Sequence, residues 1–276
     1  KKIEKKIKIL KKNKKKIRAI ISTDFAGHPC DWPQLRRIAK KYNLKLINDN
    51  CHSLGAAINF DKKYTSKYAD CASLSFHPVK AITTGEGGAV LTNDKSFDRK
   101  IKLFRSHGMI KQNFSEMWKY EMRELGYNYR ISDFQCALGL SQLKKLNKFI
   151  SKRKAIAKIY DKAFKNIKDK KIPKIKKNHT HAYHLYPLKI NFKKFKLSKK
   201  IFFDKMREKN IILQVHYIPI YQQPFYKKKY KVKKNSFPIS ENFYAEEVSL
   251  PIYYELKKND QIKVIKNIFK ILRINR

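Results

Sequence analysis

The stretch from Arg18 to Asp49 constrains the fold more than any other part of the chain. Residues 18–23 form a β-branched run that ends at the turn-rich D-F-A-G-H-P. Asp31 to Tyr42 then places Trp32, Leu35, Ile38 and Ala39 at helical spacing, which predicts one buried helix face. Asp31 is positioned to cap that helix, with Pro33 in its first turn. Leu44 to Asn48 is the next apolar strand. Strand, crossover helix and strand at this spacing predict a right-handed βαβ unit and a parallel sheet. Asp49 falls at the carboxyl end of the second strand, where open α/β sheets gather ligand groups.

The second informative stretch is Ser73 to Asp94, S-L-S-F-H-P-V-K-A-I-T-T-G-E-G-G-A-V-L-T-N-D. It predicts a strand at Ala72–Phe76, another at Ala89–Thr92, and a loop holding Lys80 between them. This loop is poor in charge in a lysine-rich chain. Ser75, Thr83, Thr84 and the Gly85–Gly88 turn offer hydroxyls and backbone N–H groups that could hold a phosphate beside an amine. The residues alone leave two readings open: a lysine that forms a Schiff base with a phosphorylated aldehyde, or a snorkelling lysine on a buried strand–turn–strand.

The 66 Lys and Arg against 22 Asp and Glu leave a net charge of +44. Such a charge invites a nucleic-acid reading. Against it, the basic residues are mostly lysine and are spread along the whole chain, and Lys, Asn and Ile are enriched together. The expectation is therefore no dedicated nucleic-acid partner, with a positive field that attracts an anionic small molecule. No apolar run is long enough for a membrane span, so no membrane insertion is expected. The lysine-rich start reads as a surface helix, with Ile3, Ile7 and Leu10 at helical spacing. Cys30, Cys51, Cys71 and Cys136 form no C-x-x-C pair and read as free thiols of a cytoplasmic protein. His179, His181 and His184 lack a convergent carboxylate or thiol, so no metal site is expected.

Further along, residues 94–106 predict a helix with Phe97, Ile101, Leu103 and Phe104 inward. Asp133 opens a long helix with an apolar stripe through Phe134, Ala137, Leu138, Leu146 and Ile150, followed by a second helix from Ser151. Residues 110–124 and the lysine-rich 166–178 read as surface connections. The expected division is a large domain over 1–150 and a small α+β domain over 151–276. In the small domain, strands are expected at 182–190, 212–216 and 249–252, with helices at 198–209, near Ser240 and at 260–272. The aromatic, basic loop 217–230 suits either stacking on a sugar or uracil, or packing.

Five blocks, in order, resemble the DegT/DnrJ-type sugar-nucleotide aminotransferases: L-I-N-D-N-C-H-S-L-G from Leu46, the Lys80 segment, Y-E-M-R-E-L-G-Y-N-Y-R-I-S-D-F-Q-C-A-L-G-L-S-Q-L from Tyr120, Y-H-L-Y-P-L from Tyr183, and V-H-Y-I-P-I-Y-Q-Q-P-F-Y from Val215. The resemblance implies an α/β, fold type I pyridoxal 5'-phosphate enzyme, with a mostly parallel sheet flanked by helices and a shared active site in a homodimer. It implies that Lys80 is the Schiff-base lysine and that Asp49 pairs with the pyridine nitrogen. His52 then meets the ring hydroxyl, Ser75 the phosphate, and Asn128 the phosphate of the partner subunit. Arg130 and His216 are candidate substrate contacts, and a surface ion pair stays open for Arg130. Two blocks look most like the branch that moves an amino group from L-glutamate to C4 of a UDP-linked 4-keto-6-deoxy-HexNAc in pseudaminic acid synthesis. A transaminase of another keto sugar nucleotide, such as a perosamine-type substrate, and an inactive basic binding derivative are the alternatives. The resemblance also implies an upstream segment with a Gly-Thr-Ser/Ala phosphate loop, which has no counterpart before Asp49.

Overall fold

The computed structural model describes residues 2–111, 115–167, 170–232 and 235–274. Of the expected surface connections, 112–114 and 168–169 lie outside the described residues. The chain divides into two compact units, Lys1–Lys148 with Lys177–Ala182, and Phe149–Lys176 with Tyr183–Arg276. Segment Lys177–Ala182, expected in the C-terminal domain, thus belongs to the first unit.

In the first unit, helix α1 (Lys2–Lys12) inserts Ile7 between Ile38 and Leu44, while Ile3 stays exposed. Strand β1 (Ala19–Thr23) leads into helix α2 (Trp32–Tyr42), where the Asp31 carboxylate accepts from the backbone N–H of Gln34. Asn43 ends α2 in the left-handed region, φ 51°. Strand β2 (Lys45–Asp49) returns parallel to β1, with Thr23 opposite Asp49. A short strand β3 (Ala57–Ile58) and helix α3 (Tyr64–Tyr68) lead to β4 (Cys71–Ser75), which runs parallel to β2 with Asp49 opposite Ser73. Strand β5 (Gly88–Thr92) pairs antiparallel to β4, so the sheet β1-β2-β4-β5 is mixed at one edge. Gly88 permits this pairing, because a Cβ there would sit 2.6 Å from the Leu74 carbonyl oxygen.

Helix α4 (Lys95–Arg105) is capped by Asp94, which accepts from the N–H groups of Ser96 and Phe97. It buries less than its pattern suggests: Phe97, Ile101 and Leu103 are half-buried and Phe104 is exposed. Strands β6 (Met109–Ile110) and β7 (Glu121–Met122) form a small antiparallel ribbon. Helix α5 runs unbroken from Asp133 to Phe164, correcting the expected two helices. No glycine or proline interrupts the chain near Ser151, and a change of buried face needs no break in the backbone. Its expected stripe is exposed at Phe134 and Leu138 and becomes core only from Ile150 onward.

In the second unit, β8 (Lys170–Lys171), β10 (Tyr186–Ile190) and β11 (Glu247–Leu250) make an antiparallel sheet in the order β11-β10-β8. Between β8 and β10, strand β9 (His179–Thr180) pairs with β3 in the first unit's own fold. The same unit holds α6 (Lys199–Arg207), α7 (Pro224–Tyr230), α8 (Pro238–Glu246) and α9 (Lys258–Ile271). The expected strand at 212–216 is reduced to a bridge between Gln214 and Ser249. The core joins Tyr160 and Phe164 of α5 to Tyr186, Leu188, Phe202, Met206, Val248 and Ile268. No helix among the described residues is long and apolar enough to cross a membrane.

Arg153 is buried in this unit, and its Nη1 donates to the carbonyls of Tyr183, His184 and Ile252. Burial pulls its pKa down to about 10. Arg153→Ala leaves three carbonyls short of a donor and should cost about 3 kcal/mol. Urea unfolding followed by tyrosine fluorescence measures the loss; a change within about 0.5 kcal/mol would show that water replaces the guanidinium.

Candidate active site

The site is assembled where β1, β2 and β4 end together. The N–H of Asp24 donates to the Asp49 carbonyl (3.0 Å) and the N–H of Asn50 to the Ser73 carbonyl (3.0 Å), extending the pairing beyond the strands. The Asp49 carboxylate accepts from Thr23 Oγ1 (3.3 Å) and from the N–H of Cys51 (3.2 Å). It is thereby fixed, half-buried, at the carboxyl edge of the sheet.

His52 is buried three residues on, and its Nδ1 accepts from the N–H of Ala26 at 3.3 Å. A neutral ring that accepts at Nδ1 carries its proton at Nε2. His52 is therefore set up as an Nε2–H donor. Phe25 packs at a tilt against it, with 6.2 Å between ring centroids.

Lys80 is half-buried in the loop between β4 and β5, with its backbone N–H bonded to the His77 carbonyl (2.9 Å). Desolvation holds its amine below the usual lysine pKa, and the charges of Cys51 and Asp49 act in the opposite direction. The amine is thus within electrostatic range of the Asp49 carboxylate. Ser75 ends β4, and its Oγ accepts from the N–H of His77 (3.4 Å).

The rest of the loop is bonded within itself. Thr83 Oγ1 donates to the Phe76 carbonyl (3.0 Å) and accepts from the N–H of Gly85 (2.9 Å), and Thr84 Oγ1 donates to the Glu86 carbonyl (2.6 Å). These bonds hold the loop in shape. The other predicted residues lie apart from this cluster in their contacts. Asn128 bridges Ser106 and, like Arg130, is exposed. His216 belongs to the second unit and is bonded within it.

Sequence reasoning passed over Asp24, read only as part of a turn. It is fully buried, and its carboxylate accepts from the Cys30 N–H (2.8 Å), Trp32 Nε1 (2.9 Å), Asn48 Nδ2 (3.3 Å), Asn50 Nδ2 (3.1 Å) and Tyr64 Oη (2.7 Å). Ser53 Oγ donates to its carbonyl (2.9 Å). The network reaches the end of β2 and the turn after it, the one segment that carries Asp49 and His52. The signal was present in L-I-N-D-N: asparagines flanking Asp49 on the opposite strand face call for a buried polar partner. His28 stacks on His179 and meets His181 edge-on, each with ring centroids 5.5 Å apart. Among the described residues, no group of three or more His, Cys, Asp or Glu is arranged to hold a metal ion.

Two outcomes follow from these environments. Burial raises the Asp24 pKa above the usual carboxylate value despite its donors. Its titration contributes stability that is fully present below the unfolded-state pKa and is lost as pH rises through the raised one. Asp24→Asn should cost about 2 kcal/mol near neutral pH, with a penalty that widens as pH falls through the raised value. Denaturant melts across pH measure it; a penalty that shrinks on acidification contradicts the assignment. For Lys80, acylation read by mass spectrometry should begin at lower pH than at exposed lysines. Asp49→Asn removes a charge that favours the ammonium and should move that onset lower still. An unchanged or raised onset rejects the coupling.

The sequence pattern of the DegT/DnrJ/EryC1/StrS aminotransferase family matches residues 1–269. The chain is 42% identical over 263 residues to the UDP-4-amino-4,6-dideoxy-N-acetyl-beta-L-altrosamine transaminase of Campylobacter jejuni, covering 95% of this chain and 68% of that protein. The Helicobacter pylori transaminase of the same name is 36% identical over 265 residues, covering 92% and 65%. Among solved structures, Helicobacter pylori PseC, an aminotransferase of pseudoaminic acid biosynthesis, superposes with a TM-score of 0.85 at 35% identity over 93% of this chain and 67% of that one. The chain thus spans about two thirds of these relatives' length. With a family match over nearly every residue, on a sheet that sets Asp49 beside the strand leading into the Lys80 loop, the chain belongs to the DegT/DnrJ/EryC1/StrS aminotransferase family.

Proposed function

We propose that the protein is a pyridoxal-phosphate-dependent transaminase that moves the amino group of L-glutamate to C4 of a UDP-linked 4-keto-6-deoxy-HexNAc, as a cytoplasmic homodimer that shares its active sites. The observation that carries this reading is the placement of Asp49 at the carboxyl end of β2, beside the strand β4 that leads into the Lys80 loop, in a chain 42% identical to a transaminase of that substrate class. The donor set fits the cofactor: a carboxylate for a ring nitrogen, an N–H for a ring hydroxyl, and an amine of lowered basicity for an aldehyde. When bound, pyridoxal phosphate supplies an electron-withdrawing ring that acidifies the donor's α-hydrogen.

The chain's own residues do the rest. Asp49 favours the protonated ring nitrogen. His52 donates Nε2–H to the ring hydroxyl oxygen, and Ser75 meets the phosphate. Lys80 takes the proton from Cα of glutamate and returns one to C4 of the sugar. Its desolvated site suits this exchange, because an amine of lowered pKa spends more time neutral at working pH. Asn128 completes the phosphate site of the partner subunit, and Arg130 offers a planar guanidinium to an anionic group.

Mixing the purified protein with pyridoxal phosphate should produce a visible absorption band that L-glutamate bleaches. Lys80→Ala should abolish the band. Turnover should then require a UDP-linked keto sugar and fail with a GDP-linked one. A wild-type protein without the band, or a Lys80→Ala variant that keeps it, would overturn the assignment.

A further inference from the structure

The parallel pairing of β1 with β2 sets a hydroxyl against the carboxylate that ends β2. Thr23 is the register neighbour of Asp49, so the two side chains leave the same face of the sheet. Thr23 Oγ1 donates to Asp49 Oδ2 at 3.3 Å, and the backbone N–H of Cys51 donates to Asp49 Oδ1 at 3.2 Å. Each carboxylate oxygen thus has its own donor, one from the neighbouring strand and one from the turn that follows. A carboxylate held at one oxygen still turns about its side-chain bonds, whereas one held at both is fixed in plane and direction.

The strand does not need this hydroxyl to form. The backbone of Thr23 is held by the β1–β2 ladder and by the Cys30 thiol, which donates to its carbonyl at 3.2 Å. The next residue, Asp24, ties the same point to β2 through its N–H and the Asp49 carbonyl (3.0 Å). Ser22, on the opposite face of β1, gives its hydroxyl to Cys30 Sγ (3.2 Å). The strand residues that share the Thr23 face, Ala19 and Ile21, are apolar. Threonine at this position therefore does what valine would do for the strand and adds one donor, and that donor reaches Asp49.

An ionised carboxylate offers about four lone-pair sites, so two donors leave room for a further N–H. We propose that Thr23 is a positioning residue: together with the Cys51 N–H it holds Asp49 in one orientation, ready for the nitrogen of the cofactor ring. A carboxylate already held in place gives up less freedom when it pairs with that nitrogen. The ring nitrogen rests on the cofactor reading above, whereas the clamp on Asp49 does not.

Thr23→Val keeps the branched shape and removes the donor, and Thr23→Ser keeps the donor. Three-bond couplings from the Asp49 carboxyl carbon to its backbone nitrogen and carbonyl carbon, measured on the full chain without cofactor, report the χ1 rotamer. Wild type and Thr23→Ser should show one rotamer, and Thr23→Val an average. Cofactor binding then separates orientation of Asp49 from general structure. Thr23→Val should weaken binding of pyridoxal phosphate about fivefold, and Thr23→Ser should recover it. The deaza analogue, with carbon in place of the ring nitrogen, should bind wild type and Thr23→Val alike. A single Asp49 rotamer in Thr23→Val overturns the clamp. An averaged rotamer with equal loss of both cofactors, or with loss of neither, overturns the role toward the ring nitrogen. A wild type that binds neither cofactor fails the functional reading, and the rotamers alone then decide the clamp.

Discussion

The buried carboxylate of Asp24 is the interaction on which the first unit's site depends. Taking a carboxylate out of water costs several kcal/mol, and among the described residues no cation repays it here. Five donors from four separate segments do so instead: the loop after β1, the start of α2, the end of β2 with Asn50, and α3. Each donor is a point where the chain must arrive in the correct place. The network therefore converts an electrostatic cost into a geometric requirement, and what it orders is the end of β2 with the turn after it, which carry Asp49 and His52. Its raised pKa fits this role, because the donors offset the desolvation only in part.

Lys80 shows the same balance from the other side. The chain carries a net charge of +44, yet what shifts this amine downward is its own desolvation, opposed by Asp49 and Cys51. Screening over roughly 8 Å at physiological ionic strength keeps most of the exposed lysines out of the local balance. The bulk charge acts at longer range, where it favours the approach of an anionic nucleotide sugar. The site is thus tuned by a few neighbours within the sheet edge, and the lysine-rich surface is a separate feature with a separate consequence.

Much of the scaffold was legible in the sequence. The β1–α2–β2 unit, its Asp31 cap, strands within a residue of β2 and β4, and the Lys80 loop follow from periodicity and turn chemistry, which are local. Other features depend on partners distant along the chain. The antiparallel seat of β5, the commitment of Thr83 and Thr84 to their own loop, the exposure of Phe134 and Leu138, and the Asp24 hub are all of this kind. The sequence by itself determined which elements form, because hydrophobic period and capping act over a few residues. Only the tertiary structure decided which polar groups are spent on the scaffold and which remain for chemistry, because that depends on where desolvation and hydrogen bonds from distant segments converge.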